Sequence, residues 1–168
     1  MFAKKKTPPF VLQVLTMDYL IEGTAEGASR LTIPSAPDYS FSPLRLTDVQ
    51  IQAARPDVNP PQTCAEFMVL GHNVVAFIPH IALGQLDDYN FMKIPQTSIQ
   101  GTFYFGPYVM RGKLMVKTRG HFAGWEQIPM LDLRIPGTPW GEIHAPFALV
   151  NCRWLHGYAC QQAAKEQR

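Results

Sequence analysis

Charge is scarce in this chain. Asp, Glu, Lys and Arg make up only 17% of its 168 residues, against roughly 25% in an average soluble domain. A surface so thin in charge is expected to be covered in part by another subunit or partner. The net charge of +2 excludes a strong overall bias toward nucleic acid. Cysteine is scarce too. Three cysteines, an odd number, argue against a disulfide framework and suit a reducing compartment, so a cytoplasmic location is expected. Long apolar runs are missing. The best one, Phe67 to Leu83, is interrupted by His72, Asn73, Pro79 and His80, whereas a membrane helix needs about 20 apolar residues. Lys4, Lys5 and Lys6 are followed by Pro8 and Pro9 rather than by the apolar run of a signal peptide.

Catalytic signatures are missing as well. There is no Gly-x-Ser-x-Gly, phosphate loop, dinucleotide fingerprint or His-Glu-x-x-His. Asp48, Asp132 and the five histidines are scattered along the chain, so no nucleophile stands beside a base. A non-enzymatic protein without a cofactor is expected. Cys152, His156 and Cys160 are spaced four apart, a spacing compatible with zinc. No fourth ligand follows from the pattern, although His144 is a candidate, and buried structural cysteines are commoner. No metal site is therefore assigned.

What is present is punctuation. Fifteen prolines and twelve glycines break a 46% apolar composition into short runs, which points to a mainly β fold. Residues 1–9 read as a flexible tail. Strands are expected at Phe10–Leu15, Tyr19–Glu26 and Leu44–Gln52, with Gly23 marking a bend. In the third, Leu44, Leu46, Asp48 and Gln50 alternate with Arg45, Thr47, Val49 and Ile51. Residues 65–79 then read as two apolar strands joined at a knuckle, Gly71-His72-Asn73, where Gly71 would supply a left-handed backbone.

These signals recur in order. Ser98-Ile99-Gln100-Gly101-Thr102 matches Leu20-Ile21-Glu22-Gly23-Thr24; Met130 to Ile135 matches Leu46 to Ile51; the Phe147 stretch matches the Phe67 stretch. The offsets are 78, 84 and 80 residues. Asn151 then stands where Gly71 stands, as the best non-glycine substitute at positive φ. The pattern implies two units, 10–80 and 96–160, joined by a connector at 81–95 and followed by a tail at 161–168. Units this small bury only about 60% of their unfolded surface, so they gain by packing together or on further subunits.

The first unit resembles the Sm-like small β-barrels, which share much of their pattern with SH3-like barrels. Ile21-Glu22-Gly23-Thr24 followed by Leu44 to Val49 is similar to the first Sm motif, and Val69 to Pro79 to the second. The second unit is similar more faintly, as a divergent, bacterial-type tandem repeat. The resemblance implies two packed barrels that pair edge strands with neighbours, and many Sm-like proteins bind single-stranded RNA. Here Leu70 replaces the arginine common before the knuckle glycine, and Ser29-Arg30-Leu31-Thr32-Ile33 replaces the Asp and Asn of the first motif's loop. The expected role is thus an assembly or protein-interaction subunit that self-associates or takes a protein partner through its edges.

Single-stranded RNA binding is the alternative. Arg111, Lys113, Lys117, Arg119 and His121 lie close together, flanked by Tyr104, Phe105, Tyr108, Phe122 and Trp125. Cations beside aromatic rings are what phosphate tracking and base stacking require. The same composition describes a solvated strand face over core aromatics. A small-molecule or metal-binding barrel is a further alternative.

Overall fold

The computed structural model describes residues 7–26, 43–55, 60–82, 97–116 and 127–160. Ten strands follow in chain order: β1 (Phe10–Thr16), β2 (Tyr19–Ala25), β3 (Leu44–Ala53), β4 (Gln62–Val69), β5 (Val74–His80), β6 (Thr97–Phe105), β7 (Tyr108–Val116), β8 (Gln127–Thr138), β9 (Gly141–Asn151) and β10 (Leu155–Cys160). Single 3-10 turns at Gly71–Asn73 and Cys152–Trp154 join β4 to β5 and β9 to β10. Among the described residues there is no α-helix, as the short, proline-broken apolar runs predict.

All ten strands form one antiparallel sheet that does not close, in the order β10-β6-β7-β8-β9-β5-β1-β2-β3-β4. Each half of the chain occupies a contiguous run of five strands. The run β5-β1-β2-β3-β4 and the run β10-β6-β7-β8-β9 have the same internal order. The halves meet in mid-sheet, where Ala76 and Phe77 of β5 pair with Val150 and Leu149 of β9. Among the described residues, strands β4 and β10 end the sheet, each paired along one side.

The irregularities repeat along with the order. Pairing of β2 with β3 slips between Glu22 and Thr24, and pairing of β7 with β8 slips between Arg111 and Lys113. At the slips stand Asp48 (φ 52°) and Asp132 (φ 53°), the only non-glycine residues of positive φ among those described. Aspartate tolerates that conformation better than most residues. Each extra residue makes a β-bulge and bends its strand. A glycine faces each bulge. A Cβ on Gly23 would lie 3.1 Å from the Thr47 carbonyl oxygen, and one on Gly112 would lie 2.7 Å from that of Leu131. The bulge also reverses the phase of burial: Leu46 and then Val49 are buried in β3, Met130 and then Leu133 in β8. The unbroken alternation expected across Asp48 is therefore corrected.

The pairing also corrects two matches between the halves. Gly112 in β7, not Gly101 in β6, is the counterpart of Gly23, so Tyr19 to Thr24 corresponds to Tyr108 to Lys113. Gly101 misleads because it pairs with Gly112 on the neighbouring strand and lies against the Ala159 carbonyl of β10. The Met130 match stands, since Asp48 and Asp132 share their φ and their place. The knuckle match shifts by one residue. Leu70 (φ −94°) and Asn151 (φ −93°) are the equivalent residues that precede the two 3-10 turns. Neither Gly71 nor Asn151 provides a left-handed backbone, because a 3-10 turn redirects the chain with right-handed dihedrals.

Two apolar cores flank the joint. One holds Leu12, Val14, Leu46, Val49 and Phe77 of the first half together with Phe147 and Leu149 of the second. The other holds Phe103, Phe105, Met110, Leu133 and Ile143 of the second half together with Leu15, Leu20, Val75 and Ile78 of the first. Each half thus completes the core of the other. Fully buried side chains of this size contribute about 2 kcal/mol each.

Candidate functional site

The basic strip falls on β7 and beyond it. Of its residues, Lys117, Arg119, His121 and Trp125 lie outside the described residues. Arg111 and Lys113 are exposed on one face of β7, as strand alternation requires. Lys113 Nζ lies 3.4 Å from Asp132 Oδ2 in an exposed ion pair. Arg111 stands opposite Arg134 of β8, which in turn stands opposite His144 of β9. Arg134 was not singled out from the sequence, because strand register decides what faces Arg111. His144 has its own acidic neighbour, Glu142 Oε1 at 3.1 Å from Nε2.

Tyr108 does not belong to this face. It is buried, and its hydroxyl donates to the Thr16 carbonyl at 2.8 Å and, more weakly, to that of Tyr19 at 3.4 Å. Burial, with a smaller contribution from the Asp18 charge, pushes its phenol above the ordinary range. Tyr108 ties β7 to the β1–β2 turn of the other half. Tyr104 is the exposed ring beside Arg111, since its strand neighbour Thr102 pairs with Arg111. Phe105 is buried in the core.

Cys152, His156 and Cys160 are not brought together as a metal site. Cys152 is buried in the second 3-10 turn, while His156 and Cys160 are exposed on β10. Among the described residues no group of three His, Cys, Asp or Glu side chains is placed to hold a metal ion.

The knuckle residues do join something, through a side chain. Asn151 Oδ1 accepts from the Arg153 amide at 3.1 Å, and Asn151 Nδ2 donates to the Val74 carbonyl at 3.0 Å. The second bond crosses the β5–β9 joint. At the other knuckle Leu70 takes the same place and is exposed.

Leu70 belongs to a pattern at the two ends of the sheet. Tyr19, Met68, Leu70, Tyr104 and Tyr158 are 40% to 55% exposed. Their counterparts in the other half, in order, are Tyr108, Leu149, Asn151, Leu15 and Phe77, all 6% exposed or less. The buried set clusters around the β5–β9 joint. The exposed set flanks β4 and β10. Beside β4 an open groove of about 400 Å³ is lined by Tyr19, Ile21, Ile51, Gln62 and Phe67, among others.

A polar chain crosses the outer face of the first half. His80 Nε2 and Gln13 Oε1 are 2.8 Å apart, and Gln13 Nε2 donates to Glu22 Oε2 at 2.8 Å. Burial lowers the His80 pKa, and the Glu22 charge partly opposes that.

Among the described residues no helix is long and apolar enough to cross a membrane. No protein-family model, curated protein or solved structure matches the chain.

Proposed function

We propose that this chain is a non-enzymatic assembly or protein-interaction subunit built from two tandem Sm-like small barrels, with β4 and β10, the end strands among the described residues, as its working surfaces. The β5–β9 joint carries this reading. There the two halves already pair edge to edge and bury apolar side chains across the joint. The corresponding edges at the sheet ends keep apolar residues in solvent. An open edge offers unpaired backbone donors and acceptors to another strand. The bulge-and-glycine pairs and the 3-10 turns between the last two strands of each half support the tandem, Sm-like part of the reading.

Light scattering over a wide concentration range tests it. The parent protein is expected to exceed the mass of one chain at high concentration. Met68→Lys, which puts a charge on the β4 edge, is expected to lower that mass. A single-chain mass at every concentration would overturn self-association through the edges.

A second reading, single-stranded RNA binding, draws on the facing of Arg111 and Arg134 beside exposed Tyr104. Phosphate-driven affinity must weaken steeply as salt rises. No binding of a labelled single-stranded RNA even at low salt would discard it.

A further inference from the structure

We infer that Arg111 and Arg134 clamp a doubly charged oxyanion, a phosphate monoester, on the outer face of the second half. The inference goes beyond the edge reading. It draws on the two arginines of the RNA reading and assigns them a different ligand.

The repeat supplies the comparison. In the first half, pairing runs Gln13–Glu22–Gln50–Thr63 straight across β1, β2, β3 and β4. In the second it runs Thr102–Arg111–Arg134–His144 across β6, β7, β8 and β9. Glu22 precedes Gly23 as Arg111 precedes Gly112, and Gln50 follows Asp48 by two residues as Arg134 follows Asp132. The two are therefore one row of the repeat, counted from the same bulge. In the first half this row closes on itself, since Gln13 donates to Glu22 and lies 2.8 Å from His80. In the second half the same row holds two guanidiniums and an imidazole.

That row is left open. Arg111 and Arg134 stand directly opposite each other, with Cα atoms about 5 Å apart, and like charges so placed repel. The nearby acids are engaged elsewhere. Asp132 lies 3.4 Å from Lys113, and Glu142 lies 3.1 Å from His144. Among the described residues neither guanidinium has an acidic partner. Both side chains are exposed and open to an anion from solution.

The charge and shape of the pair select the ligand. Two fixed positive charges match a dianion. Each guanidinium offers a planar fork of donors that suits phosphate oxygens. A phosphate monoester brings nearly two negative charges and three acceptor oxygens at neutral pH, whereas each phosphate along an RNA strand carries one charge. Single-strand binding also calls for rings on which bases stack. Near this row Phe105 and Tyr108 are buried, and Tyr104 is exposed.

The test is the melting temperature in inorganic phosphate against chloride, at equal pH and ionic strength. A ligand that binds the folded chain raises the melting temperature by mass action, so phosphate is expected to stabilise the parent beyond chloride. Arg134→Gln places there the residue that the first half carries, and Arg111→Gln is the second variant. Each is expected to melt no lower than the parent in chloride, because the repulsion is gone. Each is expected to lose at least about tenfold in phosphate affinity, the worth of a charge-assisted hydrogen bond. Arg45→Gln, which removes an exposed arginine paired with Glu66, is expected to keep the phosphate shift. Equal melting in phosphate and chloride would overturn the inference, as would a phosphate shift retained in both Arg111→Gln and Arg134→Gln or lost in Arg45→Gln. A phosphoserine peptide that binds more tightly than inorganic phosphate would put the group on a protein partner, and equal binding would put it on a small ligand; both support the site. If a labelled single-stranded RNA binds while phosphate gives no shift, the RNA reading stands and this inference fails. If the phosphate shift appears but the mass stays that of one chain at every concentration, self-association through the edges fails and this inference stands.

Discussion

The side chain of Asn151 reaches across the middle of the sheet to the backbone of Val74, 77 residues earlier. One amide thus caps the turn that follows it and fastens the two halves together, in a place that is 3% exposed. Asn151→Ala leaves the buried Val74 carbonyl without this donor and removes the cap. The expected loss is about 2 kcal/mol, read as a lower urea midpoint with an unchanged slope. Leu70→Ala, at the equivalent exposed position, is expected to change single-chain stability little.

Asp48 and Asp132 test the bulges. Both hold positive φ, where a β-branched residue is strained. Asp132→Val is expected to cost about 2 kcal/mol, whereas Asp132→Gly is expected to be tolerated. Equal melting temperatures for the two variants would show that the bulge relaxes. Gly71→Val, by contrast, is not expected to meet left-handed strain.

Gly112 faces the Leu131 carbonyl oxygen, a backbone atom that cannot swing aside. Gly112→Ala is therefore expected to destabilise more than Gly23→Ala, whose new methyl would meet its nearest atom, on Val49, at 3.0 Å. Chemical denaturation of the two variants compares them directly.

Tyr108→Phe removes the hydroxyl that donates to Thr16. The expected cost is about 1 kcal/mol, since the ring keeps its packing. Tyr19→Phe in the dissociated chain serves as the control, because Tyr19 is exposed there.

His80 sets a pH dependence. Its pKa is lowered in the folded protein, first by burial and against the pull of Glu22. The unfolded chain therefore binds the proton more readily, and stability falls as pH drops from about 6.5, the ordinary histidine value, toward the lowered one. Melting temperatures measured from about pH 7 to about pH 5 are expected to fall. His80→Gln, which keeps an amide donor toward Gln13, is expected to flatten part of that fall.

The strands were legible because apolar runs and their turn residues are local signals. β1, β2 and β3 lie within a residue or so of their expected bounds. The Asp48 and Asp132 match was legible for the same reason, each lying in a similar apolar frame. Gly101 and Gly112 give the same local signal in neighbouring strands, and only pairing tells which one faces a bulge. Proximity in sequence places Tyr108 with the basic strip. Its hydroxyl points instead to Thr16, which is 92 residues away.

Composition and spacing by themselves determined that this chain is built from short strands and that its second half echoes its first. These follow from residue type and order alone. The tertiary structure decided which edges are covered and which are open. Equivalent positions such as Leu149 and Met68 are both apolar in the sequence, yet one is buried and the other exposed. The difference arises because, among the described residues, β9 has a neighbouring strand on each side and β4 has one.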